Sequence, residues 1–148
     1  MGDAEGVLVS MGGVAGGYTL FVQHGRLIYD YNFFREHSVI TSGAVLDASA
    51  RVIEFRFSSD TSDLGSGGLG RLLGSGVEVG SGRVNRTVPF RYSVGGTFDV
   101  GCETVTPVSP MYQSPFAFTG RIRNVTVDIS GIDVDDPATA HNPAQSIQ

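Results

Sequence analysis

The residues with the clearest potential for chemistry lie along one long loop. Asp99 and Glu103 flank the start of the segment from Gly101 to Pro115, which contains three prolines, and Tyr112 lies near its end. Loop carbonyls and carboxylates could bind calcium, but calcium takes about six to eight oxygens and only two carboxylates are present here. We therefore expect no metal and no cofactor. Long loops of this kind are often functional, so Asp99, Glu103 and Tyr112 form a candidate ligand loop.

Other reactive side chains do not combine into a catalytic set. The histidines His24, His37 and His141 are far apart, in a predicted turn, a charged loop and the tail. Cys102 has no histidine near it in sequence, and a single cysteine of this kind is usually inert. The paired carboxylates of a glycosidase should occupy alternate positions of one strand, and the sequence has no such pair. We therefore expect no enzymatic activity from this chain alone.

The segment from Gly65 to Gly70 satisfies the G-x-G-x-x-G spacing of a dinucleotide site. That site needs a helix beginning at the glycines, because the helix N-terminus holds the pyrophosphate. Here a strand pattern follows the glycines. We interpret the stretch from Ser58 to Gly68 as a mobile surface loop.

The chain is organised around a β-hairpin from Gly16 to Phe34. With His24-Gly25 as its two-residue turn, both arms agree on one apolar face, and Gly25 supplies the positive φ of the second turn position. Residues on that face are Tyr18, Leu20, Val22, Leu27, Tyr29 and Tyr31. A shift of one residue would turn the whole face to water, so burial fixes the register. We expect this face to lie in the core.

The opposite face of this hairpin has one apolar pair among polar residues. In the predicted register, Phe21 lies across from Ile28. A cross-strand apolar pair exposed to water is a modest liability for a monomer. We therefore expect self-association or a partner at Phe21 and Ile28.

Short alternating segments separated by glycine-rich turns continue along the chain, the clearest being Arg51 to Ser58. No apolar stripe of helical period is sustained. About ten or more short strands without helices favour an all-β fold, a two-sheet antiparallel β-sandwich. We expect a single domain over residues 1–132 and an acidic, disordered tail over residues 133–148.

Charge and hydropathy exclude some classes of partner. The net charge is −5, and without a basic face we expect no nucleic acid as a partner. Apolar runs are too short to span a membrane, and residues 1–5 lack the basic and apolar regions of a signal peptide. We therefore expect a soluble, cytoplasmic protein.

Four segments resemble, in order and spacing, the C-terminal domain of large bacterial arylsulfatases. They are 4–13 with 16–22 and 29–34, then 83–89 (RVNRTVP), then 97–101 (TFDVG) with 106–108, and 115–129 (PFAFTGRIRNVTVDI). Together they cover about residues 4 to 129.

The resemblance implies a β-sandwich similar to concanavalin A-like and laminin-G-like jelly rolls, which follows a sulfatase catalytic domain. Sulfatases form their nucleophile within C/S-x-P-x-R, and the stretch from Cys102 to Thr106 differs at the third and fifth positions. No catalytic residue is therefore carried over. In the loop that usually reads G-x-D-T-G-T/S-P-V, the family carboxylate is kept as Glu103, but Val105 replaces the second glycine.

The resemblance therefore implies a non-catalytic accessory domain that serves as a scaffold or docks to a sulfatase catalytic domain or another partner. The alternative is a lectin-like module that binds a glycan, including a sulfated one, through its loops. Such a module needs an exposed aromatic platform. Tyr112 is the candidate for that platform.

Overall fold

The computed structural model describes residues 4–47, 49–63, 65–87, 97–102, 106–128 and 144–147. Glu103 and residues 133–143 of the predicted tail lie outside these ranges. Within them the chain forms strands and connections, without helices. The strands are β1 (Gly6–Gly13), β2 (Gly16–Gln23), β3 (Arg26–Phe33), β4 (Glu36–Thr41), β5 (Ile53–Ser59), β6 (Gly68–Gly74), β7 (Val77–Val84), β8 (Thr97–Val100), β9 (Val125–Asp128) and β10 (Ala144–Ile147).

These strands form two sheets in which every pairing is antiparallel. Sheet 1 has the order β4-β3-β2-β1-β8, and sheet 2 has the order β7-β6-β5-β10-β9. β4 contacts β6 and β7, and one apolar cluster contains residues of both sheets. The predicted all-β, two-sheet antiparallel sandwich is confirmed.

The central hairpin has the predicted register, from its turn to Tyr18 opposite Tyr31. His24 and Gly25 have φ values of 52° and 76°. Two positive φ values are typical of the type I′ turn, whose twist matches that of the flanking strands. All six residues of the predicted apolar face are buried in the core between the sheets.

Glycine on sheet 2 lets large side chains of both sheets fit between them. Tyr29 of β3 stacks on Phe55 of β5 with ring centroids 3.6 Å apart. A Cβ atom at Gly70 would lie 2.5 Å from Ile40 Cδ1 and 2.8 Å from the Phe55 ring. Glycine-rich β6 therefore contributes to close sheet packing as well as to turns.

The end of the chain differs from the predicted disordered tail, 133–148. Residues 144–147 form β10, which pairs with β5 on one side and β9 on the other. The sandwich therefore extends past residue 132. The sequence Ala-Gln-Ser-Ile is too short and too polar to show strand alternation, so its pairing depends on the neighbouring strands.

Candidate functional site

A second apolar cluster lies on the outer face of sheet 1. Its members are Val7, Phe21, Ile28, Tyr112 and the partly buried Phe116. Phe21 is fully buried and Ile28 is 4% exposed. The expectation that this pair faces water is wrong, because the long loop of the same chain covers it. Self-association through Phe21 and Ile28 thereby loses its physical reason.

Tyr112 closes this cluster and is buried in it. Its ring lies 4.9 Å from the Phe21 ring and 5.1 Å from the Phe116 ring. Its hydroxyl donates a hydrogen bond of 3.1 Å to Thr19 Oγ1. The expectation that Tyr112 forms an exposed platform is therefore wrong, since a ring packed in this way has no free face for a sugar.

A row of polar side chains crosses the same face of sheet 1. In register on β8, β1, β2 and β3 are Asp99, Ser10, Thr19 and Asp30. The Tyr112 hydroxyl reaches the row at Thr19. Asp99 and Tyr112 therefore lie along one row, with Asp99 about 10 Å from Thr19 at two strand spacings. Glu103 lies outside the described residues, and the Ser10 hydroxyl is buried without a hydrogen bond to any described residue.

Asp30, at the far end of the row, is a buried carboxylate that sequence reasoning did not single out. It is fully buried, and its two oxygens lie 2.9 and 3.0 Å from His37 Nδ1. The imidazole therefore donates into the carboxylate, and its Nε2 points away from it. His37 was assigned to a loop, whereas β4 begins at Glu36. The missed signal was the outward alternation of His37, Val39 and Thr41.

Asn32 is another missed residue, and it joins three loops at one end of sheet 1. It is fully buried. Its Nδ2 donates to the carbonyls of Val14 and Val108 at 3.0 and 3.1 Å, and its Oδ1 accepts from the Arg35 backbone N–H at 2.6 Å. The Val14 backbone N–H also donates to Thr106 Oγ1 at 3.1 Å. We call this part of the molecule the Asn32 end.

The β3–β4 turn at the Asn32 end presents an exposed aromatic side chain. Phe34 is 63% exposed, and Phe34 and Arg35 have φ values of 45° and 74°. Positive φ is uncommon for such bulky residues. The Phe33 ring packs edge-on against the Phe34 ring, with ring centroids 5.0 Å apart. The Arg86 guanidinium lies 4.9 Å from the Phe33 ring centroid.

The margin of the sandwich formed by the edge strands β8 and β9 is incompletely covered. Phe98 and Val100 pair with Met11 and Val9, which pack in or against the core. Their side chains therefore point toward the space between the sheets, because paired residues share a face. They are nevertheless 45% and 47% exposed, as is Val127 on β9 at 45%. We call Phe98, Val100 and Val127 the open edge.

The outer face of sheet 2 carries charges that balance each other. The pairs are Arg56 with Glu54 at 2.8 Å, Arg71 with Glu78 at 3.6 Å, and Arg83 with Asp60. Hydrogen bonding between Arg83 and Asp60 lowers the pKa of the Asp60 carboxyl and raises the pKa of the Arg83 guanidinium. These side chains are mostly exposed, so each pair contributes little to stability.

Comparison with known proteins adds no relative: no family model, curated protein or solved structure matches the chain. In the described ranges, no group of three or more His, Cys, Asp and Glu side chains could hold a metal ion. Nor does any helix of the described part have the length and apolar character to cross a membrane. The surfaces described above are the features from which a function can be inferred.

Proposed function

We propose that this chain is a non-catalytic accessory domain that docks against a catalytic domain, like the arylsulfatase C-terminal domain that its sequence resembles. The observation that supports this proposal is the open edge. Side chains on β8 and β9 follow the alternation of core residues, yet the sandwich itself covers only about half of their surface.

The apolar area of the open edge suits a docking contact. Val127 alternates with Val125, which packs against the core, so both side chains point to the same side. Half of one phenylalanine and two valines amounts to roughly 200 Å² of apolar surface. Covering it contributes about 5 kcal/mol at about 25 cal/mol per Å², before the entropic cost of association.

The start of the described chain lies on the same side as the open edge. Glu5 and Thr119 exchange hydrogen bonds of 3.0 and 2.8 Å, and the Phe118 backbone N–H donates to the carbonyl of Gly101 at 2.8 Å. Gly101 directly follows β8. In the resembled family the catalytic domain precedes this domain, so its connection would arrive beside the open edge.

Docking is favoured over glycan binding through the long loop. The loop residues that would present a sugar platform instead cover Phe21, and Tyr112 is 7% exposed. The two candidate carboxylates do not strengthen the case for glycan binding at this loop. Asp99 lies about two strand spacings from Thr19, the residue that the Tyr112 hydroxyl contacts. Glu103 lies outside the described residues.

A titration between separately produced domains tests the proposal. The catalytic domain of a large bacterial arylsulfatase, made without its own C-terminal domain, is titrated with this chain by calorimetry. We expect binding by the wild type and about tenfold or greater weakening for the triple variant Phe98→Ser, Val100→Thr, Val127→Thr. Absence of binding by the wild type, or equal binding by the triple variant, would contradict docking at the open edge.

A matched control uses exposed valines on the other margin of the sandwich. Val39 on β4 and Val77 on β7 are 46% and 65% exposed, and the double variant Val39→Thr, Val77→Thr should bind like the wild type.

This chain alone should not hydrolyse an aryl sulfate. Turnover that persists through repeated purification would show that the non-catalytic part of the proposal is wrong.

A further inference from the structure

The Asn32 end lies at the opposite end of sheet 1 from Glu5. β1 runs from Gly6 to Gly13, which spans about 25 Å at about 3.4 Å per residue. Glu5 meets the β2–β3 turn at the first end, where the His24 backbone N–H donates to its carboxylate at 2.7 Å. In sheet 1 the open edge lies on β8, three strand spacings or about 14 Å from β3, so a domain docked there leaves the β3–β4 turn accessible to another ligand.

We propose that the tip formed by Phe34 and Arg35 binds a sugar that carries a sulfate or carboxylate group. The exposed Phe34 ring offers a flat apolar surface on which the C–H face of a pyranose ring can pack. The guanidinium of the next residue in the turn, Arg35, can hold the anionic group through two parallel hydrogen bonds. The proposal does not depend on docking at the open edge.

Arg35 is available for an anion, in contrast to Arg86. Arg86 pairs with Glu36 and also lies over the Phe33 ring. Arg35 is exposed, and among the described residues no carboxylate forms an ion pair with it. Its guanidinium donors therefore remain free for a carboxylate or sulfate of a ligand.

The size of the apolar patch suits a sugar ring. The exposed apolar residues at the Asn32 end are Phe34, at 63%, and Val14, at 50%. Together they expose roughly 200 Å², enough to cover the face of one pyranose ring. The net charge of −5 disfavours a nucleic acid, which needs many basic contacts.

The tip is held in position before any ligand arrives. Its two positive φ values are uncommon for residues with large side chains. The conformation is maintained by the bond from the Arg35 N–H to buried Asn32 and by the Phe33 ring beneath Phe34. A fixed tip binds with a smaller loss of conformational entropy than a mobile loop does.

A titration followed by two-dimensional NMR of the whole chain tests this inference. The probes are the sulfated disaccharide lactose 3′-sulfate, its desulfated form lactose, which is uncharged, and adenosine monophosphate. We expect weak, saturable binding of the sulfated disaccharide, with shifts at residues 14 and 32–36. Phe34→Ala should weaken it about tenfold, Phe34→Tyr should stay within about threefold because the ring remains, and Val77→Thr should have no effect.

Arg35→Gln separates the charge from the ring. This variant should bind the sulfated disaccharide about tenfold more weakly than the wild type does, and its affinity for the desulfated disaccharide should be unchanged. Thermal melts show whether each variant folds. If Phe34→Ala does not fold, the affinity of Arg35→Gln and the residues whose NMR signals shift test the proposal. No binding by the wild type at about 10 mM, equal affinity for both disaccharides, or tighter binding of adenosine monophosphate would each overturn the proposal.

Discussion

The two faces of the β2–β3 hairpin are both buried, but by different parts of the chain. Sheet 2 covers the inner face, where Tyr29 stacks on Phe55. An irregular connection covers the outer face, where Tyr112 reaches Thr19 across 93 residues of sequence. Alternation identifies a face that must be buried. It does not show that the other face is free, because Thr19 and Asp30 are polar and yet fully buried.

The largest losses of stability are expected when one aromatic ring is removed from either face of the hairpin. Phe21→Ala on the outer face should destabilise the fold by about 3 to 5 kcal/mol, as much as Phe55→Ala on the inner face, because both rings are fully packed. Denaturant unfolding of both variants measures the two costs. The exposed residue Val77 provides a control, and Val77→Ala should change stability by less than about 0.5 kcal/mol.

A small effect for Phe21→Ala alone would mean that the long loop does not cover the outer face in solution. Equal, large effects for both phenylalanines would show that the loop is as much a part of the fold as sheet 2 is. In that case, deletion of the loop should also unfold the protein.

The hairpin could be predicted because its information is local. The turn residues and the two alternating arms lie within about twenty residues, and they specify the register by themselves. The cover over Phe21 could not be predicted, because Tyr112 and Phe116 belong to a segment with no regular period. A register fixes which residues share a face, but it does not identify a distant partner for that face.

The candidate site shows the same limit. Sequence reasoning found Asp99 and Tyr112, which do lie along one row, but assigned Tyr112 to the surface. It missed Asn32 and Asp30, because a lone polar residue in a strand gives no sign of burial. Their importance comes from hydrogen bonds to loops and strands that only the folded chain brings together.

A smaller effect is expected at the buried Asp30 side chain on the outer face. His37→Ala should destabilise the fold by about 2 to 3 kcal/mol, because it leaves the fully buried Asp30 carboxylate without this donor. This expected loss of stability is smaller than the loss on breaking a fully buried pair, since the His37 side chain is 24% exposed. Denaturant unfolding near neutral pH measures it.

A second histidine provides the control. His24→Asn changes a side chain that is 85% exposed and keeps a residue that tolerates positive φ. It should therefore leave stability within about 0.5 kcal/mol of the wild type. If both histidine variants behave alike, the contact between His37 and Asp30 does not stabilise the fold.

The third prediction uses pH to probe the inner face. Burial raises the pKa of the Tyr29 phenol well above its ordinary value, and the nearby Tyr31, Tyr18 and Asp30 add to the shift. The folded chain therefore keeps a proton that the unfolded chain releases near pH 10. This stabilisation is complete below about pH 10 and is lost above it, by about 1.4 kcal/mol per pH unit.

Unfolding of the wild type and Tyr29→Phe between about pH 8 and pH 11 measures this loss. The stability of Tyr29→Phe should fall less steeply above about pH 10, because its ring has no proton to lose. Parallel curves for the two proteins would show that Tyr29 is not shielded from water in the core.

The smallest expected effects come from two hydroxyl groups of the outer polar row. Tyr112→Phe removes the donor to Thr19 Oγ1 and should cost about 1 kcal/mol. Ser10→Ala removes a buried hydroxyl without a hydrogen bond to any described residue, so it should leave stability unchanged or raise it by about 1 kcal/mol. Opposite signs of the two changes in unfolding free energy would support this difference between neighbouring positions. A loss of more than about 1 kcal/mol in Ser10→Ala would instead show that a bound water or a residue outside the described ranges satisfies Ser10.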